Sequence, residues 1–294
     1  MKRTIDSGLT FNHSKVNRVA CLVFACALMT FFGCNKNGDQ DKKSANSSAQ
    51  PASAASTTMD ASQIIERNRA LDNSHDSRVK VKARIQGSEG APPEVEMTVY
   101  RKREANGNML MLIEFTAPAQ ERDRSAIVTI SPQSEVEGIR YAQSGDTFVS
   151  TKGVMSEDSL FGMTLQELAD GQPEKYDFKL IGEETAVSTP AYKLEGTLKP
   201  AAESRFNRLV ILVSKENFAT VGAEFYDNHN ELVRRLSVDK MEPVASHPTR
   251  MHWVVDNPAK TKRIEFTTLD AKYDQNLSDS LFTREYLKKI AKTQ

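Results

Sequence analysis

Hydrophobic and polar side chains alternate along much of the chain beyond residue 79. Apolar residues occupy every second position at 79–85, where basic residues lie between them, and again at 95–99. A period of two is typical of a β-strand with one buried face. Further strands are predicted at 109–115, 125–130, 192–198, 209–213, 221–226, 232–238, 251–255 and 263–269, most of them separated by turn signals. About ten short strands at hairpin spacing predict one curved antiparallel sheet.

A few helices interrupt this β pattern. Asp60 is placed to cap a helix that continues to Ala70, because Ile64, Ile65 and Leu71 recur at helical spacing beside charged residues. Residues 165–169 and 281–290 predict two more helical stretches. The fold class is therefore mainly β with a few helices (α+β), and no change in composition after residue 61 indicates a second domain. We expect one domain at 59–294.

The first part of the chain has the pattern of an export signal. Four basic residues precede Val19, and about fifteen uncharged, mostly apolar residues follow at 19–33. This apolar run is shorter than the roughly twenty residues that a membrane-spanning helix needs. It ends in Phe31-Phe32-Gly33-Cys34, which resembles a bacterial lipobox. Residues 1–33 are therefore expected to be a lipoprotein signal peptide, with Cys34 acylated at the new amino terminus.

Two alternatives to acylation at Cys34 fit the residues less well. Cleavage before Cys26 would leave an apolar core of about seven residues and an apolar mature terminus. A disulfide is disfavoured because all three cysteines, Cys21, Cys26 and Cys34, lie within the signal segment. The mature protein then has no free thiol, which excludes cysteine nucleophiles, thiol redox chemistry and zinc–thiolate sites.

A polar segment separates Cys34 from the predicted domain. Residues 34–58 are rich in Asn, Lys, Ser, Ala and Thr, and such a composition buries too little apolar area to fold. We expect a flexible tether that holds the domain near a membrane. Asn35 follows the cysteine where an Asp would favour the inner membrane, so the expected location is the outer membrane, facing the periplasm of a Gram-negative bacterium.

Composition and charge narrow the function. Charged residues make up 27% of the chain and hydrophobic residues 39%, the balance of a soluble globular domain. Positive and negative charges are equal over the whole chain, and removal of residues 1–33 leaves a slightly acidic protein. Nucleic-acid binding needs concentrated Lys and Arg to neutralise phosphates. We therefore expect no nucleic-acid partner.

Four short motifs spread over 61–294 resemble the outer-membrane lipoprotein-sorting protein family, the relatives of LolA and LolB. They are Ile64-Ile65-Glu66-Arg67, Glu114-Phe115-Thr116-Ala117-Pro118, the segment 160–168, and Leu281-Phe282-Thr283 followed by Tyr286-Leu287. The resemblance implies a sheet curled into an unclosed barrel, with helices over its open side and an apolar cavity between them. In this class the cavity holds acyl chains or another hydrophobic ligand, and no bond is made or broken.

Apolar residues at alternate strand positions are the candidates for the cavity lining. They are Met97, Val99, Met109, Met111, Ile113, Phe115, Phe225 and Trp253. Methionine suits such a lining because its unbranched, polarisable side chain adapts to varied acyl chains. The alternative is that these residues fill a closed core, since a curved sheet must bury such side chains in any case.

The sequence lacks the patterns that common catalytic and metal sites require. Nucleophile-elbow, zinc-protease, phosphate-loop and dinucleotide motifs are absent, and the histidines do not pair at metal spacing. Asp227, His229 and Glu231 are better interpreted as a polar turn than as metal ligands. The carboxylates of Glu157, Asp158, Glu167 and Asp170 are interpreted as helix caps and solvated charge. We expect no enzyme activity, no cofactor and no metal.

These observations lead to two functional hypotheses. The first is a lipid-anchored, non-catalytic protein that binds acyl chains or another hydrophobic ligand and takes part in lipoprotein sorting or lipid handling. The second is an envelope scaffold or sensor that binds a protein partner, such as an exporter complex or a signalling protein. An occupied apolar cavity would distinguish the first hypothesis from the second.

Overall fold

The computed structural model describes residues 59–86, 94–152, 172–258 and 261–292. These residues form thirteen β-strands in one sheet and two α-helices. The strands are β1 Asp76–Gln86, β2 Glu94–Arg103, β3 Met109–Ala117, β4 Ala126–Ile130, β5 Val136–Ala142, β6 Thr147–Lys152, β7 Tyr176–Ala186, β8 Thr189–Leu198, β9 Arg208–Ser214, β10 Thr220–Tyr226, β11 Leu232–Val244, β12 His247–Asn257 and β13 Lys262–Tyr273. The helices are α1 Ala61–Ala70 and α2 Arg284–Lys292, and short 3-10 helices include Ala119–Arg124 and Asp279–Phe282.

Two consecutive antiparallel meanders make up the sheet. Strands β1 to β6 follow one another on one side, β7 to β13 do so on the other, and β1 pairs with β13 to join the two halves. The first and last strands of this order are β6 and β7, which are edge strands among the described residues. The prediction of a mainly β protein with one unclosed antiparallel sheet and few helices is confirmed.

All ten predicted strands are present, but β5, β6 and β7 were not predicted. Strand β7 is exposed at most of its positions from residue 179 onward, and β6 is exposed at three of the four positions at 147–150. Edge strands of this kind carry polar residues on both faces, so the apolar alternation is weak. The sequence pattern therefore predicts the ten better-buried strands but not β6, β7 and the neighbouring β5.

The sheet has an inner face, defined as the side whose residues form the main apolar cluster, and an outer face opposite. The cluster combines alternate residues of both meanders, among them Val81, Ile113 and Leu236. Helix α1 belongs to the same cluster through Ile64 and Ile65, which are almost completely buried. The core therefore lies between α1 and the inner face.

Helix α1 begins where the sequence predicts. Asp60 is the N-cap: its Oδ1 accepts a hydrogen bond from the backbone N–H of Gln63 at 2.9 Å. The side chain of Gln63 in turn accepts from the backbone N–H of Asp60 at 3.1 Å. This reciprocal capping box satisfies two backbone donors that would otherwise lack helical partners.

Helix α2 packs on the outer face, over the first meander. Leu287 and Ala291 are buried against Leu112 and Tyr141, which belong to β3 and β5. A 3-10 helix at Asp279–Phe282 precedes α2, so the predicted helical stretch 281–290 is present in two parts. The predicted helix at 165–169 lies outside the described residues, and the covering of the sheet's open side by helices stays a prediction.

Partly buried titratable groups lie beneath α2. Burial raises the pKa of the Glu114 carboxyl, although a hydrogen bond with Tyr100 and the charges of Arg122 and Arg78 act in the opposite direction. Burial, assisted by the charge of Glu114, raises the pKa of Tyr286 on α2 to about 12. Burial of this region therefore favours the protonated form of Glu114.

This raised pKa predicts a pH dependence of stability. The pKa of Glu114 is higher in the folded chain than its ordinary value of 4.5 in the unfolded chain. Deprotonation of this group therefore lowers the free energy of unfolding as the pH rises above 4.5. Glu114→Gln should remove that loss. Denaturant unfolding measures the free energy of unfolding of the variant and the parent at pH 4.5 and at neutral pH. We expect the variant to be more stable than the parent by a larger margin at neutral pH. An equal difference at both values would contradict the assignment.

Candidate functional site

The eight predicted lining residues all lie on the inner face. Each is buried, with at most 9% of its surface exposed, and each belongs to the main apolar cluster. Strand β2 provides Met97 and Val99, and β3 provides the four residues from Met109 to Phe115 at alternate positions. Phe225 comes from β10 and Trp253 from β12. The structure thus brings together residues from both meanders, and whether they line a cavity stays a prediction.

The β2–β3 pair forms a continuous apolar patch. Met97 lies opposite Phe115 and Val99 lies opposite Ile113 in the antiparallel register. Such cross-strand neighbours have Cβ atoms about 4.5–5.5 Å apart, so their side chains contact one another on the same face. Met111 continues the patch on β3 and is 2% exposed.

Aromatic rings extend the cluster into the second meander. The ring centres of Phe206 and Phe225 lie 5.0 Å apart at an interplanar angle of 52°. Trp253 stacks on Phe266 of β13, with ring centres 5.1 Å apart. Both arrangements are among those that aromatic pairs prefer.

Polar contacts attach α1 to the second meander. The Nδ2 of Asn68 donates to the carbonyl oxygen of Phe218 at 2.6 Å and to Thr220 Oγ1 at 3.2 Å. The guanidinium of Arg67 lies 4.9 Å from the centre of the Phe218 ring, a cation–π distance. These contacts hold α1 beside the inner face at the turn between β9 and β10.

The apolar patch ends in a buried ion cluster. Arg101 and Arg103 follow Met97 and Val99 on the inner face of β2, opposite Met111 and Met109. Asp72, in the segment after α1, accepts two hydrogen bonds from Arg101 at 2.6 and 3.1 Å and is also bound by Arg103.

Burial affects the charges of this ion cluster. The side chain of Arg101 is 4% exposed and that of Asp72 is 10% exposed. Burial lowers the pKa of Arg103, the charge of Arg101 lowers it further, and Asp72 opposes both. One carboxylate therefore neutralises part of the charge of two desolvated guanidinium groups and fixes the segment between α1 and β1 to β2.

Several apolar residues that the sequence analysis did not select also adjoin the cluster. These partly buried residues are Met59, Val79, Ile85, Phe178, Leu180, Tyr192, Leu198, Phe218 and Met241. Phe178 and Leu180 belong to β7, which was not predicted as a strand. Their alternation with Asp177 and Lys179 was the available signal.

The residues considered for catalysis or metal binding form no such site where the structure describes them. Asp227 Oδ1 accepts hydrogen bonds from the backbone N–H groups of His229 at 2.9 Å and Glu231 at 3.0 Å, the pattern of a polar turn. Within the described ranges no three His, Cys, Asp or Glu residues are arranged to hold a metal ion. Cys34 and the carboxylates of Glu157, Asp158, Glu167 and Asp170 lie outside those ranges.

A separate cavity of about 240 Å³ opens beside β7 to β11. Lys193, Leu212, Gly222, Glu224 and Arg235 are among its lining residues. None of the eight predicted lining residues contributes to it. Its walls include two ion pairs, one between Lys193 and Glu184 and one between Arg235 and Glu224.

Neither helix of the described chain combines the length and apolar character that crossing a bilayer requires.

Several solved structures are similar to this fold. A DUF1329 family protein from Desulfovibrio piger has a TM-score of 0.65 at 22% identity, over 76% of this chain and 96% of its own. A putative outer membrane lipoprotein-sorting protein domain from Vibrio parahaemolyticus has a TM-score of 0.65 at 16% identity, over 77% of this chain and 97% of its own. A LolA superfamily protein from Nitrosomonas europaea has a TM-score of 0.56 at 16% identity, over 78% and 100%.

The resemblance to the lipoprotein-sorting proteins is thus confirmed, and the fold is LolA-like. A family model described as "Uncharacterized protein" matches residues 107–289, which is more than half of the chain. The chain belongs to this family. No curated protein sequence matches it.

Proposed function

We propose that this is a lipid-anchored, non-catalytic protein that binds acyl chains or another hydrophobic ligand on the inner face of its sheet. It takes part in lipoprotein sorting or lipid handling at the outer membrane, facing the periplasm of a Gram-negative bacterium. The observation that carries the proposal is the arrangement of the eight predicted residues in one apolar cluster on one face of an unclosed sheet. The LolA-like fold of similar proteins supports it.

The inner face has properties that suit an acyl chain. It combines rigid aromatic rings with three methionines, Met97, Met109 and Met111, whose flexible side chains refit around a ligand. The partly buried residues at its margin, such as Tyr192 and Phe218, extend the same surface toward solvent. In our proposal helices cover the open side, and ligand enters between them and the sheet.

The anchor and the tether complete the proposal. Residues 1–33 are removed as a signal peptide, Cys34 is acylated, and residues 34–58 connect it to the domain at 59–294. A lipid-anchored member of a carrier-like class is placed to accept a hydrophobic ligand at the membrane rather than to diffuse with it. Anchoring through several acyl chains is in practice permanent, because each buried methylene contributes about 0.8 kcal/mol.

Two adjacent residues of β3 provide the test. Met111 is 2% exposed on the inner face, and Leu112 is 0% exposed on the outer face beneath α2. Met111→Ala should weaken the binding of a fluorescent fatty acid to the soluble domain 59–294 while costing less stability than Leu112→Ala. Leu112→Ala should cost about 2–5 kcal/mol, because it leaves a void in a closed core, and should leave probe affinity unchanged.

The same pair of variants can refute the proposal. If the parent domain shows no saturable probe binding and Met111→Ala destabilises as much as Leu112→Ala, the inner face is a closed core. Fluorescence titration and denaturant unfolding measure the two quantities on the same preparations.

One observation favours the second candidate function, the binding of a protein partner. Edge strand β7 exposes Ile181 at 48%, and Val187 just beyond its end is 66% exposed. An exposed edge with apolar side chains is a surface to which an extended peptide adds as a further strand. Under this alternative the domain is an envelope scaffold or sensor, and its inner face carries no ligand.

A further inference from the structure

Arg140 lies on the inner face, on the strand next to edge strand β6. Its strand β5 alternates between faces: Val136 belongs to the inner-face cluster, while Ile139 and Tyr141 pack with α2 on the outer face. Arg140 therefore shares the inner face with Val136. It lies opposite Ala126 of β4 and Val149 of β6 in the antiparallel registers.

The row of residues through Arg140 leads from the buried patch to solvent. It runs from Val99 through Ile113 and Ala126 to Arg140 and then to Val149. The first three residues are 4%, 2% and 0% exposed, whereas Val149 on the edge strand is 36% exposed. Arg140 has intermediate burial, so it lies where the predicted lining meets the outside.

Arg140 differs from the other arginines of the inner face. Arg101 and Arg103 bind Asp72, and the buried Arg234 donates to the carbonyl oxygen of Val233. Across the ranges that the structure describes, the Arg140 side chain makes no hydrogen bond or ion pair. The nearby 3-10 helix Ala119–Arg124 packs against β5, but its Glu121 is paired with Arg124.

A guanidinium at this position suits one chemical class of ligand. Its planar fork matches the two oxygens of a carboxylate or a phosphate, and a partly desolvated cation between apolar residues gains most from an anionic partner. An acyl chain along Val99, Ile113 and Ala126 would place its polar end at Arg140. A carboxylate and a phosphate share the required anionic oxygens.

We propose that Arg140 binds the anionic head group of an amphiphile whose acyl chain lies on the inner face. This inference rests on the proposed function and specifies its ligand as a fatty acid or a lipid with a phosphate head group. The cation determines which hydrophobic ligands are retained, because a neutral chain of equal length gains nothing from it. The other inner-face residues then supply affinity without selecting for the head group.

The test uses the full chain in phosphatidylcholine nanodiscs and three photoreactive probes with the same alkyl chain. One probe ends in a carboxylate, one in a phosphate and one in a hydroxyl. After irradiation, mass spectrometry measures the labelling of inner-face peptides from β2 to β4. We expect about tenfold more labelling by at least one anionic probe than by the alcohol, the ratio expected for one charge-assisted hydrogen bond. The anionic probe that labels more strongly identifies the head group.

Variants assign the effect to Arg140. Arg140→Gln should reduce anionic labelling to the level of the alcohol, and Arg140→Lys should retain part of the preference. Arg84→Gln is the matched control, because it removes the same charge from the outer face of β1, where the Arg84 side chain is 59% exposed. It should leave all three probes unchanged. Circular dichroism checks that each variant is folded.

The outcomes separate this inference from the proposed function. If the alcohol labels the inner face of the parent as strongly as both anionic probes, the role of Arg140 is wrong while the hydrophobic site stands. If no probe labels inner-face peptides, both the site and the role of Arg140 are wrong. A preference that persists in Arg140→Gln, or disappears in Arg84→Gln, also overturns the inference.

Discussion

Replacing Asp72 with alanine should destabilise the folded protein by about 3–5 kcal/mol. The Asp72 carboxylate holds both Arg101 and Arg103, and its side chain is 10% exposed. Its removal leaves two desolvated guanidinium groups without their shared counter-ion, and it also releases the segment between α1 and β1. Denaturant unfolding of the parent and the variant measures the loss.

A matched control separates this effect from that of an ordinary ion pair. Asp270 forms a salt bridge with Arg78 at 2.6 Å, but its side chain is 43% exposed. Asp270→Ala should therefore cost no more than about 1 kcal/mol. Replacement of Arg101 by methionine in the Asp72→Ala background should recover part of the lost stability, since it removes one uncompensated charge. A cost of Asp72→Ala as small as that of Asp270→Ala would contradict this account of the cluster.

Replacing Cys34 with serine should abolish acylation completely. In the proposed anchor the lipid attaches to the thiol of Cys34, and no cysteine follows Cys34 in the sequence. Metabolic labelling with a radioactive fatty acid should give a labelled parent and an unlabelled variant.

The two upstream cysteines are the controls for this experiment. Cys21→Ser and Cys26→Ser should each leave labelling intact, because both residues lie in the proposed signal peptide. Label in the Cys34→Ser protein, or a mature terminus that maps to residue 26, would show that the anchor is assigned to the wrong residue.

The sequence predicted the well-buried parts of the fold because their signals are local. A capping residue before Ile64 and Ile65 predicted α1, and strict alternation predicted strands such as β1 and β2. Among the described residues β6 and β7 are the edge strands, where neither face needs a continuous apolar row, so their sequences give only a weak strand signal. The pairing of β1 with β13 joins residues nearly two hundred positions apart, which no local pattern shows.

The candidate site was predicted only in part for a similar reason. Alternation identifies which residues share a face, and the eight predicted residues do share the inner face. Alternation does not distinguish a closed core from the wall of a cavity, because both require apolar side chains at the same positions. The polar members of the site, Arg101, Arg103 and Arg140, were missed because charged residues at strand positions ordinarily indicate the solvent face.

The role of Asp72 required knowledge of tertiary contacts. It follows α1 in a segment without periodicity, and its partners lie on β2 about thirty residues away. A lone aspartate after a helix gives no sign that it neutralises two arginines. The position of Asp72 follows from the way α1 packs on the sheet, which sequence patterns do not specify.

The central claim, that the inner face binds a hydrophobic ligand, is tested most directly by mass spectrometry of organic extracts. The purified soluble domain 59–294 lacks Cys34, so any acyl chain in the extract was bound non-covalently. The proposed function predicts one hydrophobic species in roughly equimolar amount to the protein. An extract without such a species, together with a domain that fails to bind radiolabelled palmitate, would contradict the claim and favour the protein-binding alternative.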